Sequence, residues 1–197
     1  MFLDFTKYQS FIVLAILCCC YSCIPVEEIL PDKNDNGIFS CNLNGELFEA
    51  EGGKGILSNE LIIADLEESE DSFLLTVFGV NIVEDGAGLA VGFKIGGKQL
   101  NELKPGELGA WTLIEGEEDV FQGTMGGVEK RSSINSDDYE FRASSNNSGN
   151  IKLTLTEVDL ENQTISGVFE FTAMDDESGE KFTVTDGEFS QVKWNLK

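Results

Sequence analysis

Histidine is missing from all 197 residues. That absence removes Ser-His-Asp and Cys-His nucleophilic systems, the common zinc-ligand sets and histidine general acid–base work. A hydrolase built on this chain would have to use carboxylates, lysine or a hard metal ion. Basic residues are also scarce: 13 Lys and Arg stand against 36 Asp and Glu, for a formal net charge of −23. A surface this anionic repels nucleic acid and anionic lipid head groups, so no nucleic-acid partner is expected. Paired cysteines are lacking as well. Of five cysteines, Cys18, Cys19 and Cys20 lie in an N-terminal apolar run and Cys23 follows it. Cys41 is then alone, and no intramolecular disulfide is expected. It alternates with polar residues in Phe39-Ser40-Cys41-Asn42-Leu43, the pattern of a buried core thiol.

What is there begins with an address. A weakly charged start (Asp4, Lys7) leads into the apolar run Phe11 to Cys20, then Tyr21-Ser22-Cys23. Roughly ten apolar residues suit a secretory signal and fall short of the ~20 that span a bilayer. Small Ser22 before Cys23 makes Cys23 the expected cleavage and lipid-attachment site, although Cys20 stands three residues earlier where such signals usually carry Leu. Residues 1–22 then form a lipoprotein signal peptide. Each acyl methylene buried in a membrane contributes about 0.8 kcal/mol, so two or three chains on Cys23 would give a durable anchor. Residues 23–36, with Pro25, Pro31 and the polar run Asp32-Lys33-Asn34-Asp35-Asn36, read as a tether. The expected location is the cell envelope, as an outer-membrane lipoprotein on the periplasmic face or the cell surface.

From residue 37 to 197 the dominant signal has period two. Leu89, Val91, Phe93 and Ile95 alternate with Ala90, Gly92 and Lys94; Ile151, Leu153 and Leu155 alternate with Lys152, Thr154 and Thr156. Phe182 and Val184 alternate with threonines, and Val192, Trp194 and Leu196 close the chain. Phe73 to Phe78 is apolar on both faces and suits a central strand. Acidic or glycine-containing turns recur every ten residues or so, and only Gln99 to Lys104 suits a short helix before Pro105. The expectation is a single all-β domain of about eleven to thirteen strands, an antiparallel β-sandwich or a barrel-like sheet.

Two C-terminal strings carry a resemblance: Ile165-Ser166-Gly167-Val168-Phe169-Glu170-Phe171-Thr172-Ala173 and Thr185-Asp186-Gly187-Glu188-Phe189. Together with the hairpin-like Phe39 to Phe48, they resemble a group of Bacteroidetes-type envelope lipoproteins of unknown function. The resemblance implies an envelope lipoprotein with an all-β domain and brings no catalytic residue with it.

The remaining motifs favour plain readings. Asp32 to Gly37 matches half of a calcium loop, but position 12 is Leu43 where a bidentate acid is needed. Gly92 to Gln99 resembles a phosphate loop, but Gln99 replaces the Ser or Thr that would ligate magnesium, and a Gly-Gly turn explains the letters. The sequons at Asn146 and Asn162 carry little force in a bacterial lipoprotein. Trp111, Trp194, Tyr139 and Phe121 could stack on a sugar or fill the core. No cofactor, metal or catalytic residue is assigned. The expected function is non-enzymatic: a membrane-anchored protein binding a glycan or peptide, or docking to an envelope assembly. Alternatives are a carboxylate-dependent, glycosidase-like hydrolase and a purely structural surface protein.

Overall fold

Alternating apolar residues bury one side of a strand and leave the other to solvent or to a second layer. The computed structural model follows that pattern over the residues it describes: 37–51, 61–82, 87–113, 121–132, 138–148 and 150–197. All lie in one compact unit, Asn34–Lys197. Residues 1–36, which hold the expected signal peptide, the expected lipid-attachment residue Cys23, the expected tether and the calcium-loop letters Asp32 to Asn36, fall outside the described residues.

Among the described residues, thirteen strands join in one mixed sheet. β1 (Ile38–Leu43) and β2 (Glu46–Glu51) form a hairpin closed by Asn44-Gly45. Both turn residues have positive φ, 54° and 86°, which Asn and Gly tolerate and which matches the strand twist. β3 (Ile62–Glu68), β4 (Phe73–Ile82), β5 (Gly88–Gly97) and β8 (Phe121–Arg131) pair in succession. β9 (Tyr139–Ser144) links β8 to β11 (Thr164–Asp175), followed by β12 (Lys181–Lys193), β1 and β2. β10 (Asn150–Asp159) pairs with β11 and with the short β6 (Gly106–Leu108), while β7 (Thr112–Leu113) pairs with β8. Only a 3-10 turn, Leu100–Glu102, forms where a short helix was expected.

The ladders are antiparallel with one exception among the strands. After β12 the chain crosses to the far edge, and β13 (Asn195–Leu196) lies parallel to β3. The sheet is therefore mixed, and it folds over itself in a sandwich-like way without closing into a barrel. Register shifts between β1 and β12, β10 and β11, and β11 and β12 mark bulges that bend the strands. The folding-over is visible in the core. Phe39 on β1 and Phe93 on β5 are far apart in strand order, yet their ring centroids are 6.4 Å apart. Phe169 and Phe189 complete the cluster, at 5.4 and 4.9 Å from Phe93.

The two motif strings form neighbouring strands. Gly167 lies opposite Phe189, and Gly187 lies opposite Phe169. A Cβ on either glycine would come within 2.7 Å of the opposing ring. The glycines leave room for phenylalanine on the next strand, so the motif is a packing device.

Candidate binding site

The opposite face of β3, β4, β5, β8 and β9 is less polar than a solvated sheet face should be. On β5, Val91, Phe93 and Ile95 point into the core, so Gly92, Lys94 and Gly96 point outward. Phe78 on β4 lies opposite Gly92. Its ring covers Gly92 and reaches to 3.5 Å from where a Cβ on Gly127 of β8 would sit. Nearer the end of β5, the Trp111 ring lies 3.2 Å from the same position on Gly96 and stacks on Phe121 at 4.8 Å. Glycines without side chains thus leave the space in which these aromatic rings lie.

Charge gathers at the other end. Arg131 and Arg142 are the only two arginines in the chain. Both place their guanidinium carbons over the Tyr139 ring, at 4.8 and 5.3 Å from its centroid. Glu129 holds them there, 3.2 Å from Arg131 Nη2 and 3.9 Å from Arg142 Nε. Arg131 Nη2 also donates to the Tyr139 hydroxyl at 2.8 Å. Ladder register explains the grouping: Glu129 pairs with Arg142, and Arg131 with Tyr139, across β8 and β9.

These elements frame a cleft of about 270 Å³, with Phe78, Val80 and Ala90 among its apolar walls and Lys94, Glu129, Arg131, Tyr139 and Arg142 among its polar ones. Lys94 also lines an adjoining depression of about 560 Å³ that contains Trp111, Phe121 and Met125. A third hollow, about 440 Å³, opens at the end of β5 beside Lys98, Glu102 and Glu107.

The four aromatic candidates separate. Trp194 is core, 1% exposed. Tyr139 is 40% exposed, and Trp111 and Phe121 are half-buried on the outer face. One reading needs correction. Gly96 and Gly97 form no turn; they end strand β5, where the Trp111 and Phe73 rings take the space of a side chain. Leu196, which continues the alternation of Val192 and Trp194 at the end of the chain, is 62% exposed because β13 pairs with β3 at the rim of the sheet. Sequence reasoning did not single out Phe78, Lys94, Glu129, Arg131 or Arg142. The signal available was the pair of arginines, the chain's only ones, eleven residues apart on either side of Tyr139.

The groups with shifted acidity lie elsewhere. Burial pushes the Cys41 thiol up to about 12, so this free, 2%-exposed thiol stays protonated and inert. Asp175 is held below the usual carboxylate range by the Ser178 backbone N–H and hydroxyl, then by the Arg142 and Glu177 N–H groups. Asp159 is lowered by the Asn162 backbone and side-chain amides, with a further contribution from the Glu161 N–H. Both carboxylates close turns, after β11 and β10 respectively. No group of three or more His, Cys, Asp or Glu suited to a metal ion occurs among the described residues.

Residues 116–193 match the model of a family described as a domain of unknown function (DUF6252). No curated protein and no solved structure matches the chain. The matched segment runs from just before β8 to the end of β12. It holds the glycine–phenylalanine motif and the Glu129, Arg131, Tyr139 and Arg142 cluster, while Phe78, Lys94 and Trp111 lie before it.

Proposed function

We propose that this protein is a membrane-anchored envelope lipoprotein, lipidated at Cys23, whose β domain works by binding rather than catalysis. The outer face of β4, β5, β8 and β9 is its binding surface, and a glycan or peptide of the envelope is its ligand. The observation that carries this reading is the pair of outer-face rings, Phe78 and Trp111, set against strand glycines on the face that also carries the chain's only two arginines. A solvated sheet face needs neither feature. Concave apolar surface with a few convergent polar groups is the usual form of a small-ligand site. The signal-like start and the resemblance to Bacteroidetes-type envelope lipoproteins support the anchor. A hydrolase gains no comparable support: Asp159 and Asp175 are bound into turns and held in the ionised form, which leaves them no proton to give at neutral pH.

Two measurements test the two halves of the proposal. Mass spectrometry of the native N-terminus should find an acylated Cys23, and Cys23→Ser should release the protein from the membrane fraction. An unmodified start elsewhere sinks the anchor. For the binding surface, acrylamide quenching separates the two tryptophans, because Trp194 is buried and Trp111 is not. A panel of envelope glycans and peptides should contain a member that shields Trp111. If none does, the purely structural reading replaces this one.

A further inference from the structure

We propose that the cleft around Lys94 takes a small amphipathic anion: one carboxylate or sulfate group on a flat apolar body. This rests on the reading of the outer face as a binding surface and names the ligand chemistry. Three observations converge. The first is the Phe78 ring, which lies across Gly92 and Gly127 with Val80 and Ala90 beside it, a floor about one ring wide. The second is charge: among the described residues lining the cleft, Lys94, Arg131 and Arg142 stand with one carboxylate, Glu129, so its lining is cationic in a chain of net charge −23, while Glu67 and Glu68 line the adjoining depression. The third is Lys94 itself. It is half-buried on the outer face, and its ammonium group has no hydrogen bond or ion pair among the described residues, while its backbone carbonyl accepts from the Thr124 hydroxyl at 2.9 Å. Acids outnumber bases almost three to one in this chain, so a lysine whose ammonium has no carboxylate partner among the described residues marks a place where an anion would be accepted.

Register separates the roles. Lys94 sits opposite Thr76 and Met125, one row from Phe78 and Gly92 on one side. Glu129 and Arg142 lie one row away on the other. The apolar body would lie on Phe78, with its acid group at Lys94 and its far edge against the guanidinium groups stacked on Tyr139. Glu129 already neutralises part of the arginine charge, so Lys94 is the residue that distinguishes an anion from its neutral counterpart. A carboxylate gaining one charge-assisted hydrogen bond outweighs the matching alcohol by about tenfold or more in affinity.

The test titrates the purified full chain with three probes of one shape by isothermal calorimetry: 2-naphthoate, 2-naphthylmethanol and 2-naphthylmethylamine. The expected order is naphthoate tightest by about tenfold over the alcohol, with the amine weakest. Lys94→Met should remove the advantage of naphthoate, and Lys94→Arg should keep it. Phe78→Ala should weaken naphthoate and alcohol together. Circular dichroism checks that each variant is folded. If the alcohol binds as tightly as naphthoate, or the amine binds best, the anion inference is overturned while the outer face remains a binding surface. If none of the three binds at millimolar concentration, the inference falls. If no panel ligand shields Trp111 either, the reading beneath it falls too.

Discussion

The same pairing of glycine with an aromatic ring occurs twice in this molecule, on opposite faces of the sheet. Between β11 and β12, Gly167 faces Phe189 and Gly187 faces Phe169, and both rings are buried in the phenylalanine cluster. Between β4, β5 and β8, Phe78 lies over Gly92 and Gly127, and its ring remains half-buried with charged groups beside it. Inside, the pairing fills volume and brings strands close. Outside, it sets a ring against the strand backbone and leaves it half-buried. The segment that matches the family model, residues 116–193, holds the inner pair together with Gly127, Glu129, Arg131, Tyr139 and Arg142, while Phe78, Gly92 and Lys94 lie before it. The proposed binding surface is the outer one, assembled from β4 and β5 as well as the matched segment.

The two regions are joined at one point. Asp175, at the end of β11, accepts the Arg142 backbone N–H at 3.0 Å and also closes the turn after β11. The scaffold therefore fixes the strand that carries one of the cleft arginines.

Breaking the comparison should give effects of falling size. Phe169→Ala removes the centre of the inner cluster and should cost about 3–5 kcal/mol in urea denaturation. Gly167→Ala puts a methyl 2.4 Å from the Thr154 carbonyl oxygen and 2.7 Å from the Phe189 ring, and should cost about 1–3 kcal/mol. Phe78→Ala, on the outer face, should cost about 1.5–2.5 kcal/mol, since a half-buried ring contributes roughly half of a fully buried one, while ligand affinity falls. A stability loss from Phe78→Ala as large as that from Phe169→Ala would mean the outer ring is core after all. Asp175→Asn sharpens the link between the regions. Its carboxyl is more acidic when folded, so its stabilisation is complete above the ordinary carboxylate range and disappears as pH falls through the folded value. The urea midpoint of Asp175→Asn should lie below that of the parent at pH 7, and the gap should narrow in strong acid. Lys94→Met should change stability by no more than about 0.5 kcal/mol.

Much of this scaffold was legible in the sequence, because period-two burial is a local property. Val91, Phe93 and Ile95, or Phe182 and Val184, announce their buried face by spacing alone. What spacing does not carry is which strands become neighbours. The bulges in β12, with Asp186 and Gln191 at positive φ, bend the sheet over itself, and nothing in the local letters requires it. The departure of β13 to the edge of β3 is likewise a tertiary choice, and it turns Leu196 outward. The site was less legible for the same reason. Trp111, Tyr139 and Phe121 stand out as aromatics, but Phe78 and Lys94 become site residues only once β4, β5 and β8 are set side by side. Glycines misled in one place: Gly96-Gly97 reads as a turn by composition and is a strand end shaped by two rings.

The central claim is that the outer face works and the inner pair supports it. Amide chemical-shift mapping of the protein during titration with 2-naphthoate tests this most directly. The account predicts shifts concentrated at Phe78, Gly92, Lys94, Gly127 and Glu129, with Gly167, Phe169, Gly187 and Phe189 unmoved. Shifts centred on the β10–β11–β12 surface instead, around Lys152, Glu170 and Glu188, would contradict it.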